Sequence, residues 1–305
     1  MSHAQNGQIA SAMCFVRAYA KINLTLDVLG RRNDGYHAMT TIMQTIDLYD
    51  TLCLTATNNQ RVEMICSVPE LSNEDNLAVR AAQVLCQRLA NPPGLTIELH
   101  KRIPVAAGLG GGSSDAAAVL LALQQWLHIP VSTSDLHSIA ASLGSDVPFF
   151  LTGGLALCKG RGEQVTAFAQ YWPASMRWLL LLKPAIGIST AAVFRNVTAR
   201  DYTDGAHSQT VWEALHAGKE PPMEDLQNSL ERVVLEQYPE VTIARTALLA
   251  AGASIVRLSG SGPTLFAPFS DLASAFKAQQ YLLSQGYEVY LSRAIHPNNG
   301  NVSVF

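Results

Sequence analysis

Pro104-Val-Ala-Ala-Gly-Leu-Gly-Gly-Gly-Ser-Ser-Asp115 separates two segments of opposite character. Before it, Leu95-Thr-Ile-Glu-Leu-His100 alternates apolar and polar residues, as a half-buried strand does. After it, Ala116-Ala-Ala-Val-Leu-Leu-Ala-Leu123 is an unbroken apolar run that predicts a buried helix. The glycines between them leave no side chains to block an approaching group and permit backbone angles that other residues resist. Successive N–H groups in such a loop, aimed together with a helix N-terminus, make an anion site suited to phosphate. Ser113, Ser114 and Asp115 are N-cap residue types and are expected to mark the helix start.

Spacing excludes two common phosphate loops. A Walker loop ends in Gly-Lys-Ser/Thr, and no lysine follows Arg102 before the helix. The dinucleotide fingerprint needs glycine at its first, third and sixth positions, and counting from Gly108 reaches Ser113 at the sixth. A flexible connector fits poorly, because connectors are polar and lack strong structure on both sides.

At 305 residues, with 48% hydrophobic and 15% charged residues, the chain can bury large cores and is expected to form one large or two medium domains. A net charge of −3 gives no reason to invoke nucleic acid or an anionic membrane as partner. An anion must then be handled locally, by loop amides and a few basic residues. Cys14, Cys53, Cys66, Cys86 and Cys158 form no CxxC pair and read as free core thiols, which suggests a reducing compartment. Residues 1–13 read as a frayed leader, and 1–12 lack the basic start and apolar run of a signal peptide. The longest apolar runs, 116–123 and 178–182, fall far short of the roughly 20 residues that span a bilayer. A cytoplasmic protein is expected.

Along the chain, residues 14–29 read as a strand holding Lys21, a lysine that serves either as an edge-strand gatekeeper or as a placed charge. Pattern alone favours the gatekeeper. Residues 30–35 form a turn signed by Asp34-Gly35, and Tyr36 and His37 then open a strand over 41–48. Residues 50–56 and 61–66 are expected to form a hairpin around Thr57-Asn-Asn-Gln60. Helices are expected at 76–89 and 134–143, the second closed by Gly144. Asp146 reads as the N-cap of a short turn at Pro148. A hairpin follows at 153–168, and a change of composition at 169–175 suggests a domain crossing, giving domains of 1–169 and 170–305.

In the second half, 178–182 reads as a central strand, Ser189 and Thr190 as the cap of a helix carrying Phe194, and 196–222 as an irregular, mobile surface excursion. Helices at 226–237 and 241–251, strands at 254–259 and 264–269, a helix at 271–285 and a strand at 287–293 suggest an antiparallel sheet with helices on one face.

The glycine loop resembles the phosphate loop of the GHMP kinases, the superfamily of galactokinase, homoserine kinase and mevalonate kinase. Ala18-Tyr-Ala-Lys-Ile-Asn23 and Leu258-Ser-Gly-Ser-Gly-Pro263 fit the same superfamily. Ala20-Lys-Ile-Asn-Leu24, Arg32-Asn-Asp-Gly-Tyr-His37, Gly144-Ser-Asp-Val-Pro-Phe149 and Ser189-Thr-Ala-Ala-Val-Phe194 are most similar to its 4-diphosphocytidyl-2-C-methyl-D-erythritol kinase family.

The resemblance implies an α+β, two-domain GHMP kinase fold, with an N-terminal domain like ribosomal protein S5 domain 2 and a ferredoxin-like C-terminal domain. It implies a catalytic pair, Lys21 and Asp146, and an ATP loop of Pro104, Val105, Ala106, Ala107, Gly108, Leu109, Gly110, Gly111, Gly112, Ser113 and Ser114. It also implies acceptor contacts at Asn23, Tyr36, His37, Thr190 and Phe194, with Tyr36 and Phe194 sandwiching a pyrimidine. ATP and Mg²⁺ are the implied cofactors, with Ser113 or Ser114 a metal-ligand candidate. The implied partner is the small-molecule diphosphocytidyl methylerythritol, taken up by a monomer or homodimer. Ala106 and Ala107 stand where the family often has glycine, which is expected to stiffen the approach to the nucleotide.

Overall fold

The computed structural model describes residues 13–168 and 172–296, together with the backbone of 302–304. The leader and the start of the expected domain crossing lie outside them. β1 (Met13–Arg31) and β2 (His37–Thr57) pair antiparallel along almost their whole length. β3 (Val62–Cys66), β4 (Gly94–His100), β5 (Leu155–Gly160) and β6 (Gln164–Phe168) extend the sheet, and β11 (Val302–Val304) closes its other edge. β2 gives the rest of its second edge to two partners, residues 51–57 to β4 and 39–44 to β5.

The expected hairpin at 50–66 does not form. β3 crosses β4 and pairs with its outer side in parallel, giving the order β1-β2-β4-β3. The turn signal at 57–60 is real but marks a crossover. Residues 95–99 alternate strictly, with Leu95, Ile97 and Leu99 buried, and take the inner position, whereas in β3 only Cys66 is buried.

Four helices cover one face: α1 (Leu77–Cys86), α2 (Gly111–Trp126), α3 (Thr133–Leu143) and α4 (Val147–Thr152). Ala116, Val119, Leu120 and Leu123 of α2 are buried against Leu52, Leu54, Ile97 and Leu99 of the sheet. The helix begins earlier than its serines suggest. Gly110, left-handed at φ 73°, is the N-cap, and Ser113, Ser114 and Asp115 lie inside the helix.

The second sheet has the order β10-β7-β9-β8, built from β7 (Trp178–Lys183), β8 (Arg257–Leu258), β9 (Leu265–Phe269) and β10 (Glu288–Ser292), and every pairing in it is antiparallel. α5 (Thr190–Arg195), α6 (Ala206–His216), α7 (Glu231–Gln237), α8 (Pro239–Ala250) and α9 (Leu272–Ser284) complete the chain. β7 is central, as its unbroken apolar run predicts. Leu180 and Leu182 pack with Val241, Leu248 and Leu282, whereas Leu179 and Leu181 join Ile22, Leu24 and Ile46 of the first sheet. The strand expected over 254–259 shortens to Arg257–Leu258, and the helix expected from 226 begins at Glu231.

The expectation for 196–222 is overturned. Its polar composition hides α6, which buries Ser208, Val211 and Leu215. Asp27 holds the start of that helix, because its Oδ2 accepts from the Ser208 amide at 2.8 Å and from the Ser208 hydroxyl, while Oδ1 accepts from Thr203 Oγ1. A buried carboxylate at a helix N-terminus is satisfied by amide donors and the helix dipole. The segment is a packed element: Ser208, Val211 and Leu215 face inward, while Gln209, Thr210, Glu213 and His216 face solvent.

Candidate active site

From Ala20 to Val28, β1 is buried on both faces, one against the helices and one against the second sheet. Its polar residues at every second position, Lys21, Asn23, Thr25 and Asp27, therefore enter the interior as a row. Lys21 is 3% exposed, so the gatekeeper reading is wrong and the placed charge is right. Its Nζ donates to Asn23 Oδ1 at 2.6 Å and lies 3.4 Å from Asp146 Oδ2. Asn23 Nδ2 in turn donates to Thr41 Oγ1 at 2.8 Å. A buried ammonium is costly unless paired and hydrogen-bonded, and this network supplies both.

Asp146 occupies the N-cap position of α4, as expected, but its side chain makes no capping hydrogen bond. The carboxylate is directed to Lys21 instead.

The glycine loop is tied to the same strand, because the Lys21 amide donates to Leu109 O at 3.0 Å. A Cβ at Gly110 would lie 2.7 Å from Phe150 Cζ and 3.2 Å from Lys21 Cε, so only glycine lets the lysine pass. A Cβ at Gly108, where φ is +76°, would stand 2.3 Å from the Ser259 carbonyl. Gly108→Ala therefore combines a left-handed penalty of about 1–2 kcal/mol with a forced backbone shift. The expected result is a lower Tm and an ATP KM raised about tenfold or more, read by thermal melts and initial rates. Ala106 sits at φ 51°, so its presence where glycine is common holds the loop in a costly conformation.

These residues line one cavity of about 1020 Å³, with the glycine loop and Leu71, Asn76 and Leu77 at one end and Tyr36, His37, Thr190 and Phe194 at the other. Lys21, Asn23 and Asp146 line it as well. Ser114 does not. Its hydroxyl is buried and donates to Tyr19 O at 2.6 Å, so its place in the loop is structural. Of the two serines only Ser113 reaches the cavity.

At the far end His37 stacks on Phe194 with centroids 5.4 Å apart, and Tyr202 lies 6.1 Å from His37. Tyr36, 54% exposed, lies beneath the guanidinium of Arg161 at 4.8 Å. The ring facing Phe194 is thus His37 rather than Tyr36, and Tyr202 joins the aromatic set. Burial, with a smaller push from Arg31, holds the His37 imidazole below the ordinary histidine value, favouring the neutral ring that both donates and accepts.

Other members come from the Leu258–Pro263 motif, to which no role was assigned from sequence, and from residues without a signal of their own. Ser261 bonds Thr190 through their hydroxyls at 2.8 Å, and Ser259 Oγ donates to Gly108 O at 3.0 Å, so the 259–263 loop touches both ends of the cavity. Asn228 Nδ2 secures that loop by donating to Leu258 O and Gly260 O. Beneath the glycine loop Lys101 Nζ bridges Asp50 Oδ2 at 2.5 Å and Asp115 Oδ2 at 2.8 Å. Burial opposes the charged lysine, but Asp115 and Asp50 outweigh it and raise its pKa. One ammonium cannot neutralise two buried carboxylates. Asp115, whose Oδ1 has no partner, is pushed up to about 7 by burial.

Among the described residues no group of three or more His, Cys, Asp or Glu is placed to hold a metal. A magnesium ion held mainly by nucleotide phosphates needs only one or two hard oxygen ligands from protein. The Ser113 hydroxyl, which reaches the cavity, fits that need.

The model of the GHMP kinases N terminal domain matches residues 76–154, and that of the GHMP kinases C terminal domain matches residues 213–288. A 4-diphosphocytidyl-2-C-methyl-D-erythritol kinase of Clostridium kluyveri is 37% identical over 283 residues, which is 92% of this chain and 99% of the relative. The enzyme of that name from Pelotomaculum thermopropionicum is 40% identical over 285 residues, 92% of this chain and 97% of its own. This chain belongs to the 4-diphosphocytidyl-2-C-methyl-D-erythritol kinase family of the GHMP kinases.

A crystal structure of 4-(cytidine 5'-diphospho)-2C-methyl-D-erythritol kinase superposes with a TM-score of 0.78 at 35% identity, covering 92% of this chain and 98% of that one. Homoserine kinase from Cytophaga hutchinsonii, 19% identical with a TM-score of 0.69, shares the fold over 99% of this chain and 100% of its own. The GHMP kinase fold expected from the motifs is the fold observed. No helix among the described residues is long and apolar enough to cross a membrane.

Proposed function

We propose that this kinase transfers the γ-phosphoryl group of ATP to the 2-hydroxyl of 4-diphosphocytidyl-2-C-methyl-D-erythritol, the compound in its relatives' names, as a step of non-mevalonate isoprenoid synthesis. The observation that carries this reading is the Lys21–Asp146 pair, 3.4 Å apart, between a phosphate loop and an aromatic cluster in one cavity. Phosphoryl transfer requires little covalent help from protein. It requires positioning, an acceptor for the hydroxyl proton and neutralisation of the charge that spreads over the moving group.

Asp146 is placed to take or orient the acceptor proton. Lys21, fixed by Asn23, stabilises charge on the transferred group. Asn23 lies beside the reacting hydroxyl. Backbone amides from Gly108 to Ser113 cradle the phosphates, with the N-terminus of α2 behind them. Ser113 would hold a magnesium ion together with the nucleotide phosphates, and that ion would supply further charge neutralisation. Phe194, His37, Tyr36 and Thr190 hold the cytosine end. Residues 1–169 are assigned as the nucleotide-binding domain and 170–305 as the acceptor-side domain, save that β11 returns to the first sheet. The chain works in the cytoplasm as a monomer or homodimer, a compartment consistent with its free cysteines.

Coupled ADP release tests the acceptor. Turnover with the diphosphocytidyl substrate is expected to exceed that with homoserine or mevalonate by several orders of magnitude, because a site built to bind polar groups strongly rejects ligands that lack them. Faster turnover with either cytidine-free alcohol would remove the acceptor assignment while leaving the kinase assignment intact.

A further inference from the structure

Resting on the acceptor reading above, we propose that Arg161 is the ligand for the diphosphate group of the acceptor and so determines specificity. Arg161 lies in the tight turn joining β5 to β6, and that turn is held by its own glutamate, since Arg161 N donates to Glu163 Oε2 at 2.5 Å. The next residue, Gly162, is close to the catalytic carboxylate: a Cβ there would lie 3.7 Å from Asp146 Oδ1. The Arg161 guanidinium covers the Tyr36 ring at 4.8 Å and lines the cavity. It therefore stands between the aromatic end and the reacting end.

Among the described residues no carboxylate lies within ion-pair distance of that guanidinium. Asp34 is near enough to feel its charge, but both Asp34 oxygens are engaged by Arg32 Nε, at 3.2 and 3.0 Å. Glu163 is committed to the turn backbone. A cation held over an aromatic face, without a carboxylate partner, is positioned to accept an anion from a ligand. Its planar fork suits phosphate oxygens bidentately.

The order of groups agrees. In the acceptor the diphosphate joins the cytidine to the alcohol that is phosphorylated. In the cavity the turn runs from the Arg161 guanidinium over Tyr36 to Gly162 beside Asp146. Arg31 and Arg195 also line the cavity, but Arg31 acts on His37 and Arg195 follows Phe194 in α5, so both flank the base end.

The test compares CDP with cytidine by calorimetric titration, with the donor site saturated by ADP. The two probes share the base and differ in the diphosphate. Wild type is expected to bind CDP more tightly than cytidine. Arg161→Ala should weaken CDP about ten- to a hundredfold and leave cytidine within about threefold, the loss expected for one charge-assisted contact. Arg161→Lys should recover part of the CDP affinity. In turnover, the acceptor KM should rise while the ATP KM and kcat stay near wild type. Equal loss for both probes would place Arg161 on the base through Tyr36 and overturn the proposal, as would no loss for either. A wild type that binds neither probe, yet turns over with ATP and another alcohol, would overturn the acceptor reading itself.

Discussion

Asp146→Asn is expected to lower kcat by about 10²–10⁴, with the melting temperature and the ATP KM close to wild type. The amide keeps the shape of the side chain but cannot accept a proton in the transition state. Folding should survive, because Asp146 sits at the N-cap of α4 without capping it, and its one ionic partner, Lys21, retains Asn23 as a hydrogen-bond acceptor. Single-turnover kinetics with the diphosphocytidyl substrate separates the chemical step from product release. Turnover within a few-fold of wild type in a folded variant would rule out a proton-accepting role and leave Asp146 as an orienting group. A large rise in the acceptor KM at constant kcat would assign it to ground-state binding alone.

The second large effect concerns stability. Asp50→Ala should cost about 2–5 kcal/mol, because it removes one of the two acceptors of the buried Lys101, leaving Asp115 as its sole counter-charge. It also strands two backbone donors: Asp50 Oδ1 accepts from the amides of Arg102 and Ile103 at 2.5 and 2.9 Å. Asp115→Asn should cost far less, since Asp115 contributes only the bond from Lys101 and leaves Oδ1 without a partner. Urea unfolding at pH 8 compares the two, and equal losses would show that the cluster acts as one unit.

The pH dependence has a definite sign. Burial raises the Asp115 carboxyl from an unfolded value of 3.8 to about 7, so the folded state holds its proton more tightly. That favourable contribution is complete below about pH 4 and is lost as the pH rises to about 7. The stability of wild type relative to Asp115→Asn should therefore be greater at pH 5 than at pH 8. The opposite trend would show that the carboxylate is held charged by Lys101.

Much of this molecule was legible in the chain because its signals are local. The glycine loop between an alternating strand and an apolar run predicts both elements and the phosphate cradle, and the β7 run predicts a strand buried on both faces. The Asp-Gly turn before Tyr36 and His37, and the Ser189 cap before Phe194, predict local geometry that the structure shows. What failed was decided by partners distant in sequence. Residues 62–66 could have followed their turn into a hairpin, but β4 offered a better edge. Residues 206–216 look like a polar loop because most of the helix faces solvent and only Ser208, Val211 and Leu215 are buried, Ser208 by bonding the distant Asp27.

Lys21 shows the division most clearly. Taken alone, its place in an apolar segment favours an edge-strand gatekeeper, and only the resemblance to GHMP kinases pointed to a placed charge. The sequence by itself determined the glycine loop, the helix it opens and the family. The tertiary structure decided that β1 is covered on both faces, which turns its polar row inward and brings Lys21, 125 positions before Asp146, into contact with it. It also decided which serine faces the cavity, which ring meets Phe194, and that the Arg161 guanidinium lies over Tyr36 in the cavity wall. Periodicity specifies which face of a strand a side chain takes. What that face meets depends on packing between segments far apart in the chain.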